Sequence, residues 1–324
     1  MKQKAIYIFL SFLALAIGVM IVIDFNSTRN KKGKGNPYAL DLEPFRTVDP
    51  ALIHYKETRN ILLKCDQPRT IFYDNNRLFI GADQYFQILD LDGNQLLKAD
   101  LSDAPHCIYS APGGLIFIAF RRHIAVFDQQ GQHTETWEPL GDSAVITGLA
   151  MRDSTLFVAD AGNRCIVRYS AADGKIQGII EGKTSAADLH GFIVPSPEFD
   201  LAVNTDGELW VVNPGRHSFE NYTDDGKLRT YWETSSPYIE GFTGCCNPAH
   251  LAILSDGSFV TSEQKLVRIK IHKPSGELVS VVAPPAKFVR DGKAPDITVS
   301  PEGIIYALDI DQKKVRIFEK KSGT

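Results

Sequence analysis

The sequence predicts an all-β chain: a six-bladed β-propeller closed by an N-terminal strand and preceded by one transmembrane helix. Three observations carry this. One β-rich phrase recurs six times. Half of each repeat has nearly constant length while the other half varies. A lone strand-like segment stands ahead of the first repeat, and the last repeat is one strand short.

The first element occupies residues 1–24. Residues 5–23 (AIYIFLSFLALAIGVMIVI) are 19 uncharged, mostly apolar residues, enough to cross a hydrocarbon core of roughly 30 Å. The A-L-A triplet at 14–16 imitates a cleavage site, but the apolar run continues seven residues past it, which favours an uncleaved anchor over a removed signal peptide. Lys2 and Lys4 sit close to one end of the run, while Asp24 opens the other and Arg29, Lys31, Lys32 and Lys34 lie farther off. This bias places the short tail inside and the body outside the cytoplasm. The expectation is a single-pass protein that partners membrane lipid through this helix and holds its propeller on the extracytoplasmic, periplasmic side. Residues 25–50, with KKGKGNP at their centre, read as a flexible polar tether.

Residues 51–324 are the predicted propeller. Phrases such as LFIGADQYFQILDLDG, LFVADAGNRCIVRYSAADG and IYALDIDQKKVRIFEKKSG each hold two β-rich runs around a polar turn and end on a second turn with glycine. A first turn precedes each phrase, at residues 75–76, 113–114, 153–154, 206–207, 256–257 and 302–303. From first turn to second takes 17 to 20 residues; from second turn to the next first takes 21 to 33. Four short strands with tight turns, repeated in this way, fit a propeller blade; a solenoid would need caps at both ends. The sixth phrase ends at Gly323 without a fourth strand, and residues 54–64 (HYKETRNILLK) resemble the fourth strands KLRTYWET and ELVSVV. Lending that segment to blade 6 closes the ring and removes both sheet edges.

Residues 156–176 carry V-x-D-x-x-N at Val158, Asp160 and Asn163, followed by Arg164 and an alternating strand. This resembles an NHL repeat. The pattern is partial in the fourth repeat (Asn213 in place of the acid) and the sixth (Asp309, with Gln312 for the Asn), and weak in the other three; the resemblance covers residues 66–321. Residues 241–263 (GFTGCCNPAHLAILSDGSFVTSE) also resemble a segment of uncharacterised bacterial NHL-type proteins. The resemblance implies the fold and no reaction, because propellers host unrelated functions.

Strand direction alternates within a blade, so all glycine-type turns share one face. The long connections at 183–198, 235–247 and 284–295 share the other, where binding usually resides. Cys245 and Cys246 lie in such a connection, and Cys65 takes the matching place before blade 1. Cys107 opens a first strand where His250 does in blade 5, and Cys165 opens a third strand. Three readings stay open for the adjacent pair: a disulfide with a distant cysteine such as Cys65, a free or vicinally bonded pair, or half of a metal site. The candidate ligand-binding face comprises Glu198, Tyr238, Glu240, Cys245, Cys246, Asn247 and His250, with Asp160, Asn163 and Arg164 from the NHL-like turn.

Glu198, Asn247 and Asp296 flank first strands and offer oxygens to a cation. Propeller enzymes that resemble this scaffold, calcium-dependent lactonases and zinc-dependent amidating lyases, hold their cation there; their ligand patterns are absent here. Arg121-Arg122-His123 and Lys287 with Arg290 read as solvated turns. No nucleophile elbow, P-loop, dinucleotide fingerprint or C-x-x-C-H is present, and a net charge of −4 argues against nucleic acid. The expected function is a binding or scaffolding module for a protein, peptide or glycan. The alternative is a calcium- or zinc-dependent hydrolase or lyase with its cation at the channel mouth.

Overall fold

The computed structural model describes Leu13, residues 15–21, 40–183 and 191–323. They fall into two units divided between Asp41 and Leu42. In the first, Leu13 and residues 15–21 are helical, with Leu15, Met20 and Ile21 exposed. Among the described residues no helix is long and apolar enough to cross a membrane. Most of the span expected over 5–23, and the tether up to residue 39, lie outside the described residues.

The second unit consists of six four-stranded antiparallel sheets. Blades 1 to 5 comprise residues 68–100, 107–136, 146–180, 201–233 and 250–283; blade 6 joins residues 296–320 to Tyr55–Leu62. The first turns are hairpins of the kind that need left-handed residues, as at Asn75 and Asn76 with φ of 48° and 58°. Tyr55–Leu62 pairs with Lys314–Lys320 from Tyr55↔Lys320 to Leu62↔Lys314, with an irregularity between Glu57 and Arg59. The ring is therefore closed by the N-terminal strand. Each inner strand touches the inner strand of the next blade, blade 6 to blade 1 included.

The core follows from the two-residue period of the strands. Each sheet turns one set of apolar side chains to each neighbouring blade, so six hydrophobic clusters form, one per blade interface. The interface of blades 4 and 5 is aromatic: Phe219 stacks on Trp232 at 4.5 Å and Trp210 meets Phe259 at 4.8 Å. Burying each such ring contributes about 1.5–3 kcal/mol.

A second recurring device fixes the connections. In blades 3 to 6 the last residue of the second strand holds, directly or through basic side chains, the segment that enters its own blade. In blade 3, Asp160 Oδ1 accepts from the N–H groups of Val145 (2.9 Å), Gly162 (3.0 Å) and Asn163 (3.1 Å), and its Oδ2 accepts from Asn163 Nδ2 (2.7 Å). In blade 4, Asn213 Oδ1 accepts from Ile193 N–H at 2.9 Å. In blade 5, Glu263 pairs with Arg268 (2.6 Å) and Lys270 (3.0 Å), which both donate to Gly241 O, at 2.8 and 2.6 Å. In blade 6, Asp309 takes Arg316 Nε at 2.8 Å, and Arg316 Nη2 reaches Lys287 O at 2.6 Å. The NHL-like acid is thus an anchor of the entering chain, and its Asn braces that acid.

Candidate functional site

Strand register brings Thr70, Cys107, Gly148, Asp200, His250 and Asp296 to the same level of the six inner strands, at their starts on the loop-bearing face. They ring the mouth of a central cavity of about 270 Å³, whose deeper wall includes half-buried Phe72, Tyr109, Leu149, Met151 and Ile253.

Inner strands are sheet edges, so their outward N–H groups need partners. Two carboxylates supply them. Asp200 accepts from its neighbour Leu201 N–H at 2.8 Å and, across the blade interface, from Leu251 N–H at 2.9 Å. Asp296 accepts from Ile297 N–H at 2.8 Å and, across the ring closure, from Ile71 N–H at 2.8 Å. His250 Nδ1 lies between them, 3.6 Å from Asp200 and 3.7 Å from Asp296. Gly148 makes room: a Cβ there would stand 2.8 Å from Asp200 Oδ1.

Burial alone would lower the pKa of His250, but Asp200, Asp296 and Glu198 outweigh it and raise it to about 9. The imidazole is a cation at neutral pH. Burial raises Asp296, and the charge of Asp200 adds to this, while His250 and the Ile71 N–H pull the other way. Cys107 faces both carboxylates, and burial plus their charge drives its thiol well above the usual range.

The other candidates separate into rim and scaffold. Glu198 is half-buried, accepts from the Ser196 hydroxyl, and lies close enough to act on His250 and Cys246. Cys245 is exposed and Cys246 half-buried, with their sulfurs 3.1 Å apart. None of the five cysteines is disulfide-bonded in the structure, so the bridge considered with Cys65 is not formed; Cys65 lies beside Tyr85, whose hydroxyl donates to Lys64 O at 3.4 Å. Tyr238 is exposed on the rim, its ring edge-on to Phe45 at 5.1 Å, and Glu240 is exposed beside it. Asn163 and Arg164 are exposed at the blade 3 turn, whereas Asp160 is fully buried.

The expected cation set does not assemble. Asn247 is buried and staples its own loop, donating to Thr243 O at 2.7 Å and accepting from Gln264 N–H at 2.9 Å. Among the described residues no group of three or more His, Cys, Asp or Glu is placed to hold a metal ion.

Asp200 is the functional candidate that sequence reading missed. The signal was there: Asp200, His250 and Asp296 each lie seven residues before the glycine of a first turn, Gly207, Gly257 and Gly303.

No protein-family model and no curated protein matches the sequence. Among solved structures the chain is similar to a streptogramin B lyase, with TM-score 0.59 and 13% identity over 84% of this chain and 100% of that one. A catalytically inactive histidine-to-alanine variant of virginiamycin B lyase from Staphylococcus aureus, with quinupristin, gives 0.59 and 14% over 82% and 100%. A protein of unknown function from Bacteroides thetaiotaomicron gives 0.59 and 16% over 80% and 70%. At these identities the likeness shows the six-bladed propeller fold.

Proposed function

We propose that this chain is an NHL-type propeller that binds a ligand at the channel mouth on its loop-bearing face, and that its N-terminal apolar segment anchors it to a membrane with the propeller on the extracytoplasmic side. The carrying observation is the group Asp200–His250–Asp296 facing a cavity. Charged groups withdrawn from water cost free energy, and the strand-tying task of the two aspartates needs only a neutral acceptor, as Thr298 supplies to Tyr73 N–H. Charge at this level serves something that comes to the mouth.

The test is a thermal-shift survey of small metabolites and short peptides on the full chain in detergent. It would compare wild type with His250→Gln and with Glu302→Ala on the opposite face. Ligands that stabilise wild type and the Glu302 variant but not the His250 variant support the reading. Equal responses in all three proteins overturn it.

A second reading is a lyase or hydrolase that uses His250 as an acid–base group without a metal. His250 lies in the channel mouth, and the lyases among the structural neighbours, one of them inactivated by loss of a histidine, favour keeping it. A ligand consumed by wild type and only bound by His250→Gln would support this reading over simple binding.

A further inference from the structure

The charges around the mouth are divided by blade. Blades 4 to 6 contribute Glu198, Asp200 and Asp296, offset by one imidazolium. Blades 1 to 3 contribute arginines. Arg69 lines the channel cavity; its Nη2 donates to Gln67 at 2.9 Å, and its Nε is buried with no hydrogen-bond partner. Arg121 and Arg164 border an open groove of about 540 Å³ with Val145, Val194, Pro195 and Pro197, and His106 lines both this groove and the channel cavity. Neither arginine has an ion-pair partner among the described residues. Burial lowers the pKa of His106, and Arg69 and Arg121, near enough to act on it, add to this, while the Ile146 carbonyl at 3.0 Å and the charge of Asp103 pull the other way.

One half of the mouth therefore offers unpaired donors, and the other offers carboxylates with acceptor capacity left. Each oxygen of Asp200 and Asp296 takes one backbone N–H; His250 and Thr70 take one more site on Asp200 and Asp296 respectively, and with two lone-pair sites per carboxylate oxygen each acid keeps one. Between and below the two halves lies the half-buried apolar wall of Phe72, Tyr109, Leu149, Met151 and Ile253. A cavity of about 270 Å³ is at the lower limit for a small-molecule pocket.

We propose that the mouth takes a zwitterion, a free α-amino acid or dipeptide with an apolar side chain. Its carboxylate sits on Arg69, Arg121 and Arg164, its ammonium on Asp200, Asp296 and Glu198, and its side chain in the channel. A ligand with one charge would leave half of the mouth unmatched. This rests on the channel-mouth binding proposed above.

Calorimetric titration of the full chain in detergent at pH 7 would use four probes: L-leucine, L-leucyl-L-leucine, L-leucinamide and N-acetyl-L-leucine. Leucine or the dipeptide should bind at least about tenfold more tightly than either capped probe, the effect of losing one charged hydrogen-bonding group. The tighter of the two identifies the source. Replacing Arg121 and Arg164 together by Gln should lower the zwitterion's affinity toward that of leucinamide, by the part of the preference that Arg69 does not hold, and leave leucinamide unchanged. Both arginines are exposed, so this variant keeps its fold. Asp200→Asn should remove the advantage over N-acetyl-leucine. Capped probes that bind as well as their parents, an unchanged preference in the double variant, or no binding by any probe would overturn the proposal. If all four fail while the survey above yields other His250-dependent ligands, the zwitterion falls and channel-mouth binding stands.

Discussion

In blades 3 and 5 the last residue of the second strand is an acid, Asp160 or Glu263, and in each case it fastens the connection entering its blade. The chemistry differs. Asp160 works alone, with three backbone N–H groups and one side-chain amide as donors. Glu263 acts through Arg268 and Lys270, both fully buried, which span the distance to Gly241 while His272 binds Glu240 O at 3.2 Å. A short connection passes close enough for a carboxylate to hold it directly. In blade 5 the longer arms of Arg268 and Lys270 make the reach to Gly241, and they place two basic groups against one acid inside the fold. The anchoring position is the same, but blade 5 is left far more sensitive to losing its acid.

The largest test of that contrast is a pair of substitutions. Glu263→Gln leaves the buried Arg268 without its counter-charge and takes from Lys270 its ionic partner, and should cost about 3–5 kcal/mol in chemical denaturation. Asp160→Asn disturbs hydrogen bonds of one anion to neutral donors and should cost about 1–3 kcal/mol. Equal losses would break the comparison.

Next in size is pH. Lys270 lies near pKa 7 against an ordinary 10.5, because burial penalises its charge and outweighs the pull of Glu263. Above pH 7 the unfolded chain holds a proton that the folded chain lacks, so this group makes stability rise with pH. His250 has the opposite sign. Its folded value of about 9 exceeds the ordinary 6.5, so its contribution is full below 6.5 and lost as pH rises through 9. Between pH 6.5 and 9, Lys270→Met should make the stability–pH slope more negative than in wild type, and His250→Gln should make it more positive. Slopes that shift in the same direction would refute the assignment.

The smallest effect is local. Cys245 and Cys246 sit on the connection that the Glu263 group holds, so Cys246 should alkylate faster in Glu263→Gln and at the wild-type rate in Asp160→Asn. Cys107 and Cys165 are buried and should stay unmodified in all three proteins. Cys245→Ser should change stability by less than about 0.5 kcal/mol. Equal acceleration of Cys246 in both acid variants would mean that the connection is not held from blade 5.

What was legible in the sequence was whatever is local. Turn pairs such as Asn75–Asn76, the two-residue alternation, and the spare strand at 54–64 predicted the ring, its blade count and its closure. The Asp160 turn was visible because all but one of its partners lie within three residues. The blade 5 anchor was not. Arg268, Lys270 and His272 alternate with apolar residues in RIKIH, the usual pattern of a strand with one face in water; here the entering connection folds over that face. The channel mouth was half visible. His250 and Asp296 were singled out, but the roles of Asp200 and Gly148 depend on inner strands brought together only by ring closure. Asn247 was read as a cation ligand because its use within its own loop depends on the path of the backbone. Arg121 was read as a solvated turn because no local pattern ties it to a groove.

Closure by Tyr55–Leu62 also orders events during synthesis. The partners Tyr55 and Lys320 lie at opposite ends of the propeller sequence, so one strand of blade 6 leaves the ribosome before the other five blades and its neighbours after them. Until they arrive, the early strand has no sheet to join, and the growing arc of blades keeps an open edge at each end. Pairings this distant in sequence form slowly, and unpaired edges invite other chains. Protection in the cell is therefore needed before blade 6 exists and becomes unnecessary once it does.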